Sequence, residues 1–207
     1  MSVEEGNMPI FIKNQLKTDL QLLMANIQGL YESIAEKDCC VLNDFEKMNK
    51  QFKGIHSFAA SYYLQSYLEP FTDYMEMLTV SAQHFSEKRH GALIAIKRQD
   101  SLETFVHSGV PLHAQLSSNL LEAIFYPGNP LHDGGVLIDK DMVVSAANIF
   151  PTSKFYNGKE KLGTRHRAAI GITEQSDALV IVVSEETGRI SFSIDGQLFP
   201  VQTSALM

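Results

Sequence analysis

The sequence lacks the motifs that mark most familiar nucleotide and hydrolytic sites. It has no G-x-x-x-x-G-K-[ST] loop, no G-x-G-x-x-G fingerprint, no G-x-S-x-G elbow and no H-E-x-x-H pair. Cysteine is scarce. Cys39 and Cys40 are adjacent, a spacing that rarely bridges and that matches no zinc pattern. The longest clear apolar run, Ala178–Val183, is strand-sized, far short of the roughly 20 residues a membrane-spanning helix needs. The start, Met1-Ser2-Val3-Glu4-Glu5, is acidic and has no signal-peptide pattern, so the expected setting is reducing and cytoplasmic, with no membrane partner. Positive charge is also short. A formal net charge of -7 argues against a general nucleic-acid binder, which needs a broad cationic face. Internal repeats, low-complexity tracts and a Pro/Gly/Ser-rich linker are all missing.

What is present falls into two textures. The 207 residues, 44% of them hydrophobic, suffice for one good-sized domain and an accessory segment. From Ile10 to about Ala35 the apolar residues Leu16, Leu20, Leu23, Ile27, Leu30 and Ile34 recur at heptad spacing, with Lys17, Asp19, Gln21 and Glu32 on the opposite face. One such stripe must pack on something. An αα-hairpin with the next helix is expected, and contact with another subunit is the alternative. Glu36–Cys40 reads as a connection. A second stripe follows through Leu42, Phe45, Met48, Phe52, Ile55, Ala59 and Tyr62, weakened by Gly54 at about 1 kcal/mol relative to Ala. Pro70 is placed to open a third helix, whose buried face would be Phe71, Tyr74, Leu78, Ala82 and Phe85, ending in Glu87-Lys88-Arg89-His90.

After Gly91 strands and helices mix, which predicts an α/β fold with a central mixed sheet flanked by helices. Expected strands are Ala92–Ile96, Leu102–His107, Val136–Asp139, Met142–Ile149, Ala178–Val183 and Arg189–Ile194, the last with Ser191 and Ser193 on a polar face. Gly109-Val110-Pro111 reads as a break. Leu116–Phe125 reads as a helix capped by Ser117 or Ser118, and Thr164–Thr173 as a helix with Thr164 near its cap. Asp195-Gly196 is a turn signal. The expected division is 1–62, a helical hairpin segment for regulation or oligomerisation, and 63–207, the catalytic domain.

Two motifs carry chemistry. Leu131-His132-Asp133-Gly134-Gly135 puts a carboxylate and an imidazole beside two glycines, which let backbone N–H groups approach a ligand. Taken alone, the Asp133-Gly134-Gly135 tripeptide reads as a plain turn rescued by glycine. Gly163-Thr164-Arg165-His166-Arg167 places cationic side chains at a helix start, where unpaired N–H groups and a partial positive charge suit phosphate. Lys154, Lys159 and Lys161 extend that cationic cluster, although a solvated basic loop explains the same charges. Ser184-Glu185-Glu186 closes the buried strand; ends of parallel strands commonly hold ligands, and two carboxylates there could hold a phosphate-bridging cation. A charged turn explains Glu185 better than it explains Glu186. His56, His84, His90, His107 and His113 are scattered and read as surface or satisfied core.

In this order and spacing, the motifs resemble those of the diadenylate cyclase family, which makes cyclic di-AMP from two ATP and carries an Asp-Gly-Ala motif followed by Gly-Thr-Arg-His-Arg. The resemblance runs from about Tyr63 to the C-terminus and includes Gly91-Ala92-Leu93-Ile94, the Gly109-Val110-Pro111 break and Val183-Ser184-Glu185-Glu186-Thr187-Gly188. The helical preface without a membrane segment is similar to that of the short, soluble, sporulation-associated branch in Bacillus.

The resemblance implies that Asp133 acts on the ribose 3′-OH, as base or through a metal, and that Gly134 and Gly135 lie along the nucleotide. Thr164, Arg165, His166 and Arg167 would bind the triphosphate, with Ser184 and Glu186 completing the phosphate and metal shell. Phe150 aligns with the apolar residue beside adenine. Asp133, His132 and Glu186 would hold a divalent metal ion, Mn2+ or Mg2+ with Co2+ also compatible. It implies ATP as substrate, cyclic di-AMP as product and a homo-oligomer with catalytic domains face to face, with the N-terminal helices controlling assembly and activity. A non-catalytic module that binds ATP or cyclic di-AMP is the alternative, and a scaffold built on the helices a third reading. Gly135 departs from the family alanine, which predicts a looser loop.

Overall fold

Heptad spacing in the first part of the chain gives a helix, α1 (Ile10–Ser33), entered through Pro9 and followed by a 3-10 turn at Ile34–Glu36. The structure, a computed structural model, describes residues 8–36, 41–105, 109–154 and 162–202. Cys39, Cys40, His107, Lys159 and Lys161 lie outside the described residues. A second helix, α2 (Val41–Leu68), follows. The chain divides into two compact units, Met1–Ala60 and Ser61–Met207, and α2 runs through the division.

In the first unit Asn26 Nδ2 on α1 donates to Gln51 Oε1 on α2 at 2.8 Å, which ties the two helices together. The stripe on α1 is only half covered. Ile12, Leu23 and Leu30 are buried, whereas Leu20, Ile27 and Ile34 stand about half exposed. Phe11, Leu22 and Met24 on α1, and Leu42, Phe45 and Phe52 on α2, are exposed as well.

The second unit is a mixed sheet with helices packed on it. Its elements are α3 (Met75–Lys88), β1 (Ala92–Ile96), β2 (Val110–Gln115), α4 (Ser118–Ile124), β3 (Gly135–Asp139), β4 (Met142–Asn148), α5 (Thr164–Thr173), β5 (Leu179–Val183), β6 (Ile190–Ile194) and β7 (Gln197–Pro200). Among the described residues the sheet has seven strands in the order β2-β4-β3-β1-β5-β6-β7. The β1/β3 pair is parallel, with Ile94 opposite Val136, and the other pairs are antiparallel.

Alternation along the strands divides the core. Leu93, Ala95, Leu137, Val180 and Val182 meet Ala168, Ala169 and Ile172 of α5. The residues between them, Ile94, Ile96, Val136 and Ile181, are equally buried and point to the opposite face. There α3 lies on β5 and β6, joined to α4 by the Phe85–Phe125 edge contact at 5.4 Å. Strands buried on both faces read as continuous apolar runs, which is why β1 and β5 are plain in the sequence.

Five expectations are corrected. Leu102–Phe105 is a turn around buried Leu102, and the strand is instead β2, which begins at Val110. Pro111 does not break it, because β2 is an edge strand and proline is tolerated there. The third helix begins at Met75 rather than Pro70; Phe71 precedes it, with the Arg98 guanidinium 4.6 Å over its ring. Ser191 and Ser193 are buried, Ser193 Oγ bonding Thr173 Oγ1 at 2.7 Å and the Gln197 carbonyl at 3.0 Å. Finally, β5 is antiparallel to both neighbours, so Ser184-Glu185-Glu186 does not end a parallel strand. The Asp195-Gly196 turn, with both residues at positive φ (50° and 71°), joins β6 to β7 as expected.

Candidate active site

Sheet register brings the two motifs together. Ile94 pairs in parallel with Val136, and Ala92 pairs with Val183. Gly91, the Gly134-Gly135 pair and Ser184 therefore lie at one end of three adjacent strands. That end is the N-terminal one for β1 and β3, opposite to the usual ligand side of a parallel sheet. The N-terminus of α5 reaches the same place. Gly163 is its N-cap, no side-chain hydrogen bond caps it, and Thr164 is the first helical residue. Such a terminus presents unsatisfied N–H groups to an anion.

Arg165 is the link between the motifs. Its Nη1 donates to Glu185 Oε2 at 2.9 Å, and its Nη2 donates to the His132 carbonyl at 3.4 Å. Gly91 makes room for it: a Cβ there would overlap Nη1 and come within 2.8 Å of Cζ. The Glu185 carboxylate is 64% exposed, so the ion pair contributes at most about 1 kcal/mol and matters mainly as an orienting contact. Arg165 Nε is buried with no hydrogen-bond partner among the described residues. An orphaned buried donor costs free energy, and a functional site is one place where that cost is tolerated.

His166 is half-buried. Burial pushes its pKa below the ordinary histidine value, and the Glu186 carboxylate opposes that shift. The ring is thereby favoured neutral between two arginines. Arg167 is exposed, its Nη2 donating to the Ser153 carbonyl at 3.4 Å while the Ser153 N–H donates to the Arg167 carbonyl at 2.9 Å. Ser184 Oγ accepts the Thr187 N–H at 3.2 Å, and Glu186 stands exposed in that turn.

The Asp133 carboxylate is exposed, and no hydrogen bond among the described residues holds it. His132 Nδ1 lies 2.5 Å from the Asn129 carbonyl, which can only accept, so in the neutral ring Nδ1 is the donor and Nε2 the acceptor. Gly134 sits at φ 116°, a conformation glycine adopts freely. Phe150 is 4% exposed, with its ring against Gly135, while neighbouring Ile149 is exposed. The ring fills the space beside Gly135, so glycine there is packed rather than loose.

The residues not expected from the sequence are Glu185, which reads there as a plain turn, and Asn148, for which the sequence carries no signal. Among the described residues no three His, Cys, Asp or Glu side chains cluster closely enough to hold a metal ion by themselves. The donor set is open carboxylates and one imidazole Nε2. It fits an ion of the Mg2+ type, held by one or two carboxylates and completed by substrate phosphates.

Comparison with known proteins agrees with this architecture. A family model described as DisA bacterial checkpoint controller nucleotide-binding matches residues 79–198, and one described as Diadenylate cyclase CdaS, N-terminal, matches residues 8–71. The chain is 44% identical over 190 residues to the diadenylate cyclase CdaS of Bacillus thuringiensis, covering 92% of this chain and 94% of that protein. It is also 44% identical to the cyclic di-AMP synthase CdaS of Bacillus subtilis, covering 91% of each. A crystal structure from Bacillus cereus, described as a hypothetical membrane spanning protein, superposes with a TM-score of 0.74 at 44% identity, covering 92% of this chain and 94% of that one. Among the described residues here, no helix is long and apolar enough to cross a membrane. With both of its regions matched, the chain belongs to the diadenylate cyclase family.

Proposed function

We propose that the chain condenses two ATP into cyclic di-AMP and two pyrophosphate, in the cytoplasm, as a source of second messenger. The observation that carries this reading is the Arg165 guanidinium. It joins the Arg165-His166-Arg167 helix start to the backbone of the Asp133 loop through the His132 carbonyl.

In the reaction the ribose 3′-oxygen of one ATP attacks the α-phosphorus of the other. The bond from that phosphorus to the bridging oxygen breaks, pyrophosphate leaves, and the hydroxyl proton passes to Asp133. The step is mainly positioning and charge neutralisation. Thr164, Arg165 and Arg167 at the start of α5 bind the triphosphate; neutral His166 donates a hydrogen bond without adding charge. Gly134 and Gly135 let the backbone approach the nucleotide, Ser184 binds phosphate, and Phe150 borders the adenine. Asp133, Glu186 and His132 Nε2 would hold the divalent ion, Mn2+ or Mg2+, which supplies charge neutralisation at the phosphates when bound.

The product has two-fold symmetry, so two copies meet face to face, each with one ATP. The half-covered helical unit controls that assembly. The test is incubation with ATP and Mn2+ or Mg2+, read by chromatography. Cyclic di-AMP is expected from the wild type, while Asp133→Asn should bind ATP and make none. ATP binding without product in the wild type would overturn the proposal in favour of the non-catalytic module.

A further inference from the structure

Because no side-chain bond among the described residues holds Asp133, its position comes from the backbone on either side of it, held before it at the His132 carbonyl by Arg165 and after it at Gly134-Gly135. That backbone is gripped from one side by the corner at the end of β4. Asn148 is 1% exposed, and both ends of its carboxamide are used. Its Nδ2 donates to the Gly135 carbonyl at 2.9 Å, and its Oδ1 accepts from Ser145 Oγ at 3.0 Å. Gly109 closes over the same carboxamide, leaving no room for a Cβ, which would overlap Oδ1 and come within 2.8 Å of Cγ.

The corner itself is bent into an unusual shape. Ala147 lies at φ 54°, in the left-handed region that non-glycine residues rarely enter. That bend brings the Ala147 and Asn148 main chain against Gly134. A Cβ on Gly134 would sit 2.7 Å from the Ala147 carbonyl carbon and 2.8 Å from the Asn148 oxygen. Two residues on, the Phe150 ring occupies the volume a side chain at 135 would take. A Cβ there would overlap Cε2 and lie 2.8 Å from Cδ2. The β3/β4 ladder is irregular between Gly135 and Leu137, so regular pairing does not fix this stretch.

We propose that Asn148 and Phe150 are positioning residues for the reaction. The Ala147–Phe150 corner is a mould that sets the Gly134-Gly135 peptides, and through them the Asp133 carboxylate. This rests on the role given to Asp133 above. The mould makes two separable demands, a hydrogen bond to the Gly135 carbonyl and an exchange of volume between positions 135 and 150. A loop displaced by about 1 Å is enough to cost roughly 10²-fold in rate.

The test compares full-length wild type with Asn148→Ala, Gly135→Ala, Phe150→Leu and the Gly135→Ala/Phe150→Leu pair. Measured for each are kcat and KM for ATP, binding of a non-reactive ATP analogue, and the thermal unfolding midpoint. Asn148→Ala should lower kcat about 10²-fold with KM and analogue binding within about 3-fold, the split expected when the reacting group rather than the binding surface is displaced. Gly135→Ala should lower kcat at least about 10-fold, and adding Phe150→Leu should recover most of that loss in kcat, whatever it does to KM. Should Asn148→Ala fail to fold, the 135/150 pair still decides. Undiminished kcat in folded Asn148→Ala, or a double variant no better than Gly135→Ala, overturns the mould. If the wild type makes no cyclic dinucleotide, the reading of Asp133 fails instead. The volume exchange is then read from unfolding midpoints, where purely additive shifts overturn it.

Discussion

The two units treat their apolar residues in opposite ways. In the sheet unit β1 and β5 are buried along their whole length, and their side chains are covered by helices of the same unit. In the helical unit one row of the stripe is covered, at Leu23 and Leu30, and the adjacent row at Leu20, Ile27 and Ile34 is open. The sheet unit closes its own core and gathers the two motifs at one end of it. The helical unit holds apolar surface beyond what its own residues cover, and contiguous exposed apolar surface marks a site of association.

The sharpest way to break this contrast is at the site. If the chemistry belongs to the sheet unit, Arg165→Ala should cut product formation by about 10²–10³-fold, the scale for losing a preorganised donor to developing charge. Oligomer size, read by light scattering, should be unchanged. A change in assembly would place Arg165 in an interface rather than in phosphate binding.

Next in size is core against surface. Leu179 is fully buried, so Leu179→Ala should cost about 2–5 kcal/mol in denaturant unfolding. Ile27→Ala, at a half-exposed position, should change the stability of a single chain by no more than about 0.5 kcal/mol. It should, however, shift the oligomer distribution toward smaller species. A large stability loss at Ile27 with no change in assembly would show that the open row is covered within the chain, and the contrast would fail.

The smallest effect concerns His166. Its folded pKa is lowered by burial, so the stability tied to the neutral ring is fully present above the ordinary value of 6.5. That stability is lost progressively as pH falls below 6.5 toward the folded value, because the unfolded chain takes up the proton first. An NMR titration without added metal should show a midpoint below 6.5, and Glu186→Gln should lower it further by removing the opposing carboxylate. A midpoint at or above 6.5 would mean that the ring is open to solvent.

These contrasts also show what a sequence displays. The helices are legible because heptad spacing is long and regular, and β5 because it is an unbroken apolar run. The start of α5 is legible because Gly163-Thr164-Arg165-His166-Arg167 combines a helix start with an anion-binding inventory. β2 is not legible, since Gly109 and Pro111 look like punctuation until the strand is known to lie at an edge. Nor is the covered half of the α1 stripe, because periodicity fixes a face and only tertiary contacts choose which row is buried. Gly135 reads as a loosened loop for the same reason: the Phe150 ring that fills it lies fifteen residues away in sequence and adjacent in space. Asn148 has no local signature at all, since its importance lies in a carbonyl across the ladder.

Both outer strands of the sheet contain a proline, Pro111 in β2 and Pro200 in β7. β2 adds a register break between Pro111 and Ala114, with His113 at φ 48°. Proline cannot donate to a ladder, and a bent edge cannot template a straight neighbour. The sheet is therefore poorly suited to growing by strand addition from another copy. For a protein rich in buried β-strand this protects against fibre-like stacking, and it leaves loops and helices as the surfaces open to any partner.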